Sequence, residues 1–332
     1  MQPSFPYGWR DFDEDVIVWL KEQHPEHLVK RTDAGMTCPL VAHEREWLGW
    51  QGGNYTKGTV PHGDPEVSFR VTPTYILSDP LDNFITGDEL IGQMLTGAWG
   101  KAETHRLGNE NSEDTLTWNV FRSLQEAGLL HLLTPLVCEC RQSAEPDLYL
   151  WGRRITESSA EDWPRLAVAR AKLEPTHGQQ TEPDAVLHIE GWGWIFCEAK
   201  FGSKVTTSPS EEHKNAWLRR YVEKTPHLFD LGSIAEVPTH EFPEQLLRNF
   251  VFADRIADEG ERAHVVLLGR DKERSPVEEW VGRCLAEDVE VTFSRLSWEQ
   301  IYGALPTRDS SVATLRRYLE EKSYSLRRAF TL

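Results

Sequence analysis

The chain has 332 residues, 39% hydrophobic and 27% charged, with a formal net charge of -17. That length suits one large globular domain or two ordinary ones, with enough apolar residues for a sizeable core. The charge excludes a diffuse electrostatic grip on a polyanion, since phosphate contacts are made by Lys and Arg. The longest apolar runs, such as 16–20 and 265–268, are too short to cross a bilayer.

Asp11, Asp13, Glu14 and Asp15 precede the first apolar run, where a secretory signal would carry the opposite charge, so a cytoplasmic protein with no membrane partner is expected. The five cysteines (Cys38, Cys138, Cys140, Cys197 and Cys284) are odd in number and scattered, which argues against a disulfide framework. Cys138 and Cys140 lack the second pair that a structural zinc site needs, and read as buried thiols on a strand.

In chain order, 11–23 reads as a helix with Val16, Trp19 and Leu20 inward, 47–64 as a polar, Gly-rich loop, 67–77 as a strand and 86–96 as a short helix. Residues 1–108 form an accessory N-terminal region without a chemical motif. From 109 the pattern sharpens. Asn111 or Ser112 can cap a helix that starts at Glu113, carries the stripe Leu116, Val120, Phe121 and Leu124, and ends at Gly128. Residues 136–141 and 148–151 read as strands, and 160–173 as a helical insertion.

Residues 184–190 and 194–200 are β-rich runs around Gly191-Trp192-Gly193, the pattern of a hairpin. Helices follow at 211–222 and 241–257, strands at 264–268 and 289–293, and a short helix at 297–305. An amphipathic helix at 310–328 is the most basic stretch, laced by Arg316–Glu320 and Arg317–Glu321 pairs. The layout is α/β: a mixed sheet flanked by helices in a domain over 109–305, with 306–332 as a C-terminal basic helix.

Chemistry concentrates at the hairpin. Alternation along the strand puts Glu198 and Lys200 on one side and Cys197 and Ala199 on the other. Folding back at 191–193 brings Asp184 beside Glu198 and Lys200, at the roughly 5 Å spacing of cross-strand neighbours. Paired carboxylates on a rigid strand end suit Mg²⁺, and a neighbouring ammonium can orient a water or offset charge on a phosphate. Taken alone, Glu198 and Lys200 would read as a surface ion pair. Against that, Trp194-Ile195-Phe196-Cys197 is a strand buried on both faces, which has little reason to end in a charge without a partner.

Pro183-Asp184, the hairpin and Glu198-Ala199-Lys200 together resemble the signature of the PD-(D/E)XK nuclease superfamily. The resemblance covers about 109–295 and implies a restriction-endonuclease-like core ordered helix, three strands, helix, strand. It further implies that Asp184 and Glu198 bind Mg²⁺ or Mn²⁺ and that Lys200 positions the attacking water. Glu113 matches the glutamate that the family often adds on the preceding helix, with Glu110 as the alternative. Gln245 matches a polar position on the following helix, and Arg248, one turn on, reads as covering a helix face rather than contacting phosphate.

The implied activity is metal-dependent hydrolysis of phosphodiester bonds, with DNA as the expected partner and a homodimer or partner protein as a possible assembly. The alternative is a catalytically silent scaffold of the same fold whose acidic surface engages a partner. A third reading, a two-carboxylate glycosidase, needs two carboxyls at a defined separation across a sugar cleft, and no second carboxylate besides Asp184 is placed to do this. Trp192 and Trp194 read as core and turn packing rather than as a stacking platform.

Overall fold

The computed structural model describes residues 80–86, 89–96, 107–138, 145–174, 181–203, 205–206, 209–273, 277–324 and 327–332, with four short strands before them. Those strands are β1 (Leu40–Val41), β2 (Trp47–Gln51), β3 (Asn54–Gly58) and β4 (Tyr75–Ile76). Next come α1 (Glu89–Thr96), α2 (Glu113–Glu126), α3 (Thr134–Val137), β5 (Asp147–Leu150), β6 (Arg153–Ile155), β7 (Ala160–Asp162), α4 (Pro164–Leu173), β8 (Ala185–Ile189) and β9 (Gly193–Ala199). Then follow α5 (Glu211–Trp217) with a π-helical continuation Leu218–Val222, α6 (Leu231–Glu236), α7 (Glu244–Ile256), β10 (Arg262–Gly269), α8 (Val277–Cys284), β11 (Val291–Ser297) and α9 (Trp298–Ala304). The chain closes with α10 (Ala313–Glu321), β12 (Ser323–Tyr324) and β13 (Arg327–Arg328).

Two compact units result: Met1–Asn119 with Ala313–Leu332, and Val120–Val312. In the first, β1 pairs in parallel with β4, and β2 with β3 and β12 with β13 in antiparallel. Its polar interior is well bonded. Asn83 Nδ2 donates to the carbonyls of Leu107 and Asn109, Asn119 Nδ2 donates to the Asn83 carbonyl, and Ser112 caps α2 by accepting from Thr115 N–H. Lys322, read as part of a basic surface helix, is instead buried and donates to the Glu110 carbonyl at 2.7 Å.

The second unit is built on a seven-stranded mixed sheet in the order β11-β10-β9-β8-β5-β6-β7. Strands β7, β6, β5, β8 and β9 run as an antiparallel series, after which β10 and β11 join in parallel to β9. Parallel addition requires a crossover, supplied by the helical stretch between β9 and β10. The order α2, β5, β8, β9, α7, β10 is the expected helix, three strands, helix, strand.

Aromatic residues hold one face together: Trp163 stacks on Trp194, with ring centroids 5.6 Å apart, and Trp194 stacks on His188 at 4.1 Å. The tryptophan at 194 is thus packing, as its sequence implied. Helix α7 lies on this face, with Leu246, Leu247, Phe250, Val251, Phe252 and Ala253 all fully buried. The stretch 246–253, buried all round, has no solvated side on which to set its polar residues.

Several elements differ from their sequence reading. The stretch 47–64 was expected as a loop but carries the β2–β3 hairpin. The run 136–141 was expected as a strand, yet Pro135 in the first turn favours the helix α3 and leaves Cys138 as its half-exposed C-cap rather than a strand thiol. The helix expected over 160–173 begins only at Pro164, because Ala160–Asp162 pairs with β6 as a polar edge strand. The last helix ends at Glu321, not 328, and the chain turns back as β12–β13. The helix expected over 11–23 lies outside the described residues. Among the described residues, no helix is long and apolar enough to cross a membrane.

Candidate active site

The hairpin β8–β9 fixes the site. Antiparallel pairing sets Ala185 against Cys197, so one step further the register places Asp184 opposite Glu198. The return needs Gly191 and Gly193, both at positive φ (74° and 135°). A Cβ on Gly193 would lie 2.0 Å from the carbonyl oxygen of Arg262, so this position is closed to side chains by the start of β10. Strand β9 is then clamped between β8 and β10 and buried along its whole length.

Three of the expected residues come together at the end of this hairpin. Lys200 Nζ donates to Glu198 Oε1 at 2.7 Å, and both side chains are nearly inaccessible. Asp184 Oδ2 accepts the backbone N–H of Ala199 at 2.8 Å, which ties its carboxylate to the segment between Glu198 and Lys200. The backbone of Lys200 is held on both sides: its N–H donates to the Leu268 carbonyl at 2.7 Å, and its carbonyl accepts from Trp298 Nε1 at 3.1 Å. Burial pushes the Cys197 thiol far up, and the nearby charges of Asp184 and Glu198 add to that shift. Cys197 and Ala199 face the opposite side of the sheet, as strand alternation requires.

The sequence reading missed Asn249. It lies on α7, is 1% exposed, and donates from Nδ2 to Glu198 Oε2 at 3.0 Å. Glu198 therefore has one donor on each oxygen: an ammonium from its own strand and an amide from the covering helix. Gln245 sits on the first turn of α7, half-buried and four residues before Asn249, so the two share a helix face. The available signal was an asparagine inside a run of apolar helix positions, where a polar side chain must find a partner.

Arg248 does not cover an exposed helix face as expected; it is 7% exposed. Glu113 opens α2 in the first unit and is half-buried there, with Asp114 beside it in the first turn. The alternative residue, Glu110, is fully buried in the same unit, next to Lys322. Burial pulls the Lys322 ammonium down to about 8, against the opposing attraction of Glu110.

Among the described residues, no group of three or more His, Cys, Asp or Glu side chains is arranged to hold a metal ion. The donor set at the hairpin is two carboxylates, Asp184 and Glu198. That number fits a hard cation such as Mg²⁺, which is commonly held by one or two carboxylates and otherwise by water and substrate phosphate. A carboxylate oxygen carries two lone pairs, so the bonds from Ala199, Lys200 and Asn249 are compatible with further ligation.

A strand ending in Glu-X-Lys, with an aspartate across the hairpin and a helix covering both, in a sheet of this order, defines a restriction-endonuclease-like protein. The family model described as "Restriction Endonuclease associating with ARP" matches residues 97–322, and the chain belongs to that family. No curated protein and no solved structure matches the chain. Membership places it among nuclease-like proteins, and the match spans the whole second unit together with α2 and α10.

Proposed function

We propose that this chain is a metal-dependent nuclease that hydrolyses phosphodiester bonds, with DNA as its first candidate substrate. The observation that carries the reading is the convergence of Asp184, Glu198 and Lys200 at one buried strand end of a restriction-endonuclease-family chain. Asp184 and Glu198 would hold Mg²⁺ or Mn²⁺, which when bound supplies Lewis acidity toward a phosphodiester.

The chain's own groups have distinct tasks. Asn249 and Lys200 fix the Glu198 carboxylate from both sides. Lys200, with three donors on a backbone anchored to Leu268 and Trp298, orients the attacking water and offsets charge that develops on the phosphate. Glu113 and Gln245 are assigned assisting roles, as metal or water-positioning groups, on the family resemblance alone.

The test with a readout besides cleavage is calorimetric titration of Mn²⁺ into the wild type, Asp184→Asn and Glu198→Gln. One site in the wild type, weakened at least about tenfold in each variant, is expected. Equal affinity in all three would remove these carboxylates from the metal site.

The net charge of -17 favours a second reading, in which the chain depends on a partner to reach nucleic acid or acts as a silent scaffold. The family description names an association with ARP, which fits a partner protein that delivers the substrate. A chain that binds Mn²⁺ but cuts nothing until a partner is added would follow from this second reading.

A further inference from the structure

The carboxylate–lysine geometry leaves one nearby group unexplained. Arg248 lies in α7, directly before Asn249, and is 7% exposed, yet a guanidinium stays charged at any working pH. Among the described residues it makes no hydrogen bond. Its nearest carboxylate oxygen, Glu244 Oε1, is 4.0 Å away, and its Nε is shielded from solvent without a partner. A buried guanidinium whose Nε meets no acceptor and whose nearest carboxylate oxygen stands 4.0 Å away is costly, and such a group calls for a specific explanation.

The nearby carboxylates each have another partner, Glu244 through its second oxygen. Glu174 accepts from the Tyr221 hydroxyl at 3.0 Å and from the Thr181 hydroxyl. Glu182 lies 3.4 Å from Arg170, and Glu244 lies 3.2 Å from His213 Nε2. Arg170 is a second buried guanidinium, satisfied by the Thr181 carbonyl and Glu182. Burial is the main cause pulling its pKa down. Repulsion from Arg248 adds to that, against the attraction of Glu182 and Glu174. Arg248 is thus a cation near another cation, with no carboxylate at bonding distance.

Its place in the fold ties it to the hairpin. The next residue, Asn249, bonds Glu198, while Arg170 bonds Glu182, two residues before Asp184. Helices α4 and α7, which carry the two arginines, pack against each other. Arg248 thus lies on the helix that covers the hairpin, one residue from the Asn249 that bonds Glu198 and close enough to Arg170 to repel it.

We propose that Arg248 is a phosphate-binding residue of this site, its guanidinium taking a non-bridging oxygen of a nucleic-acid phosphodiester adjacent to the one presented to Asp184, Glu198 and Lys200. This rests on the nuclease reading above and extends it to the group that grips the substrate. It also gives an acidic chain a local contact for a polyanion, as a buried charge is little screened by salt or by distant carboxylates.

The experiment uses the full chain and fluorescently labelled duplex and single-stranded DNA, with Ca²⁺ in place of Mg²⁺ and anisotropy read across a KCl series. Wild type, Arg248→Lys and Arg248→Gln are compared, with a thermal melt of each to register folding. Arg248→Gln is expected to bind about tenfold more weakly, and its slope of log affinity against log salt to fall by about 0.9 on duplex or about 0.7 on single strands. Arg248→Lys should keep the wild-type slope. A merely structural arginine would lower the melting midpoint and leave the slope unchanged, and that result overturns the proposal.

A second arm measures the thermal shift given by inorganic phosphate. Stabilisation that is lost in Arg248→Gln, in a protein that binds no nucleic acid, would keep the anion site and overturn both its nucleic-acid assignment and the nuclease reading. No response in either arm overturns everything proposed for Arg248.

Discussion

Replacing Lys200 by methionine keeps the shape of the side chain but removes the ammonium that bonds Glu198 Oε1 at 2.7 Å, between side chains 7% and 4% exposed. Breaking a buried ion pair by deleting one partner costs about 3–5 kcal/mol, because the other charge is left uncompensated. Asn249 still donates to the second oxygen of Glu198 at 3.0 Å, which argues for the lower end, about 3 kcal/mol. With a urea slope of roughly 2 kcal/mol/M, the unfolding midpoint should fall by about 1.5 M. Glu198→Gln removes the carboxylate from the Lys200 ammonium and should cost up to a similar amount. The double variant Glu198→Gln/Lys200→Met removes both charges, leaves the amide bond to Asn249 possible, and should return to within about 1 kcal/mol of the wild type. The assay is urea denaturation in EDTA, followed by tryptophan fluorescence, with the coupling taken from the double-mutant cycle. An unchanged midpoint in Lys200→Met, or a double variant as unstable as the sum of the singles, would refute the account of this pair as a buried, mutually dependent unit.

Gly193→Ala should cost at least about 3 kcal/mol or prevent soluble expression, since φ is 135° and the added Cβ would meet the Arg262 carbonyl oxygen; a wild-type urea midpoint would contradict this. Asn249→Leu should reduce cleavage of nucleic acid at least about tenfold, with Asn249→Gln no better because its longer amide overreaches Glu198; rates measured at saturating metal check this. His264 sits buried between the hydroxyls of Thr292 and Ser294, and burial pulls its pKa down to about 4. Its folded pKa lies below the unfolded value, so the folded state binds fewer protons. The stability it allows is present above about pH 6.5 and is lost as pH falls toward 4, by up to about 3 kcal/mol. The difference in unfolding midpoint between wild type and His264→Gln should shrink or reverse across that window, and a constant difference would argue against a neutral buried imidazole.

The hairpin and the convergence of its charged side chains were legible because both rest on local rules. Two glycines around Trp192 dictate the turn, strand alternation puts Glu198 and Lys200 on one face, and antiparallel register brings Asp184 across. Asn249 and Arg248 were not legible in the same way. In a helix that packs on one side, a polar residue reads as solvated, and only the burial of α7 nearly all round turns both into interior groups. The same limit applies to Lys322, which terminates an amphipathic helix with exposed Arg317–Glu321 pairing at 3.0 Å, yet is itself drawn inward by the β12–β13 return. Ala160–Asp162 escaped notice as a strand because an edge strand of polar residues carries no apolar alternation. The apolar run in 136–141 has the composition of a strand, but Pro135 just before it pre-sets φ for a helical first turn.

The central claim is tested most directly by cleavage of a mixed panel of supercoiled, linear and single-stranded DNA and of RNA, in Mg²⁺, Mn²⁺ or EDTA, with wild type, Glu198→Ala and Lys200→Ala side by side. Cutting that requires metal and falls at least about a hundredfold in both variants is the predicted result. Metal-independent cutting, or cutting that survives in both variants, would contradict the assignment of the site to Asp184, Glu198 and Lys200.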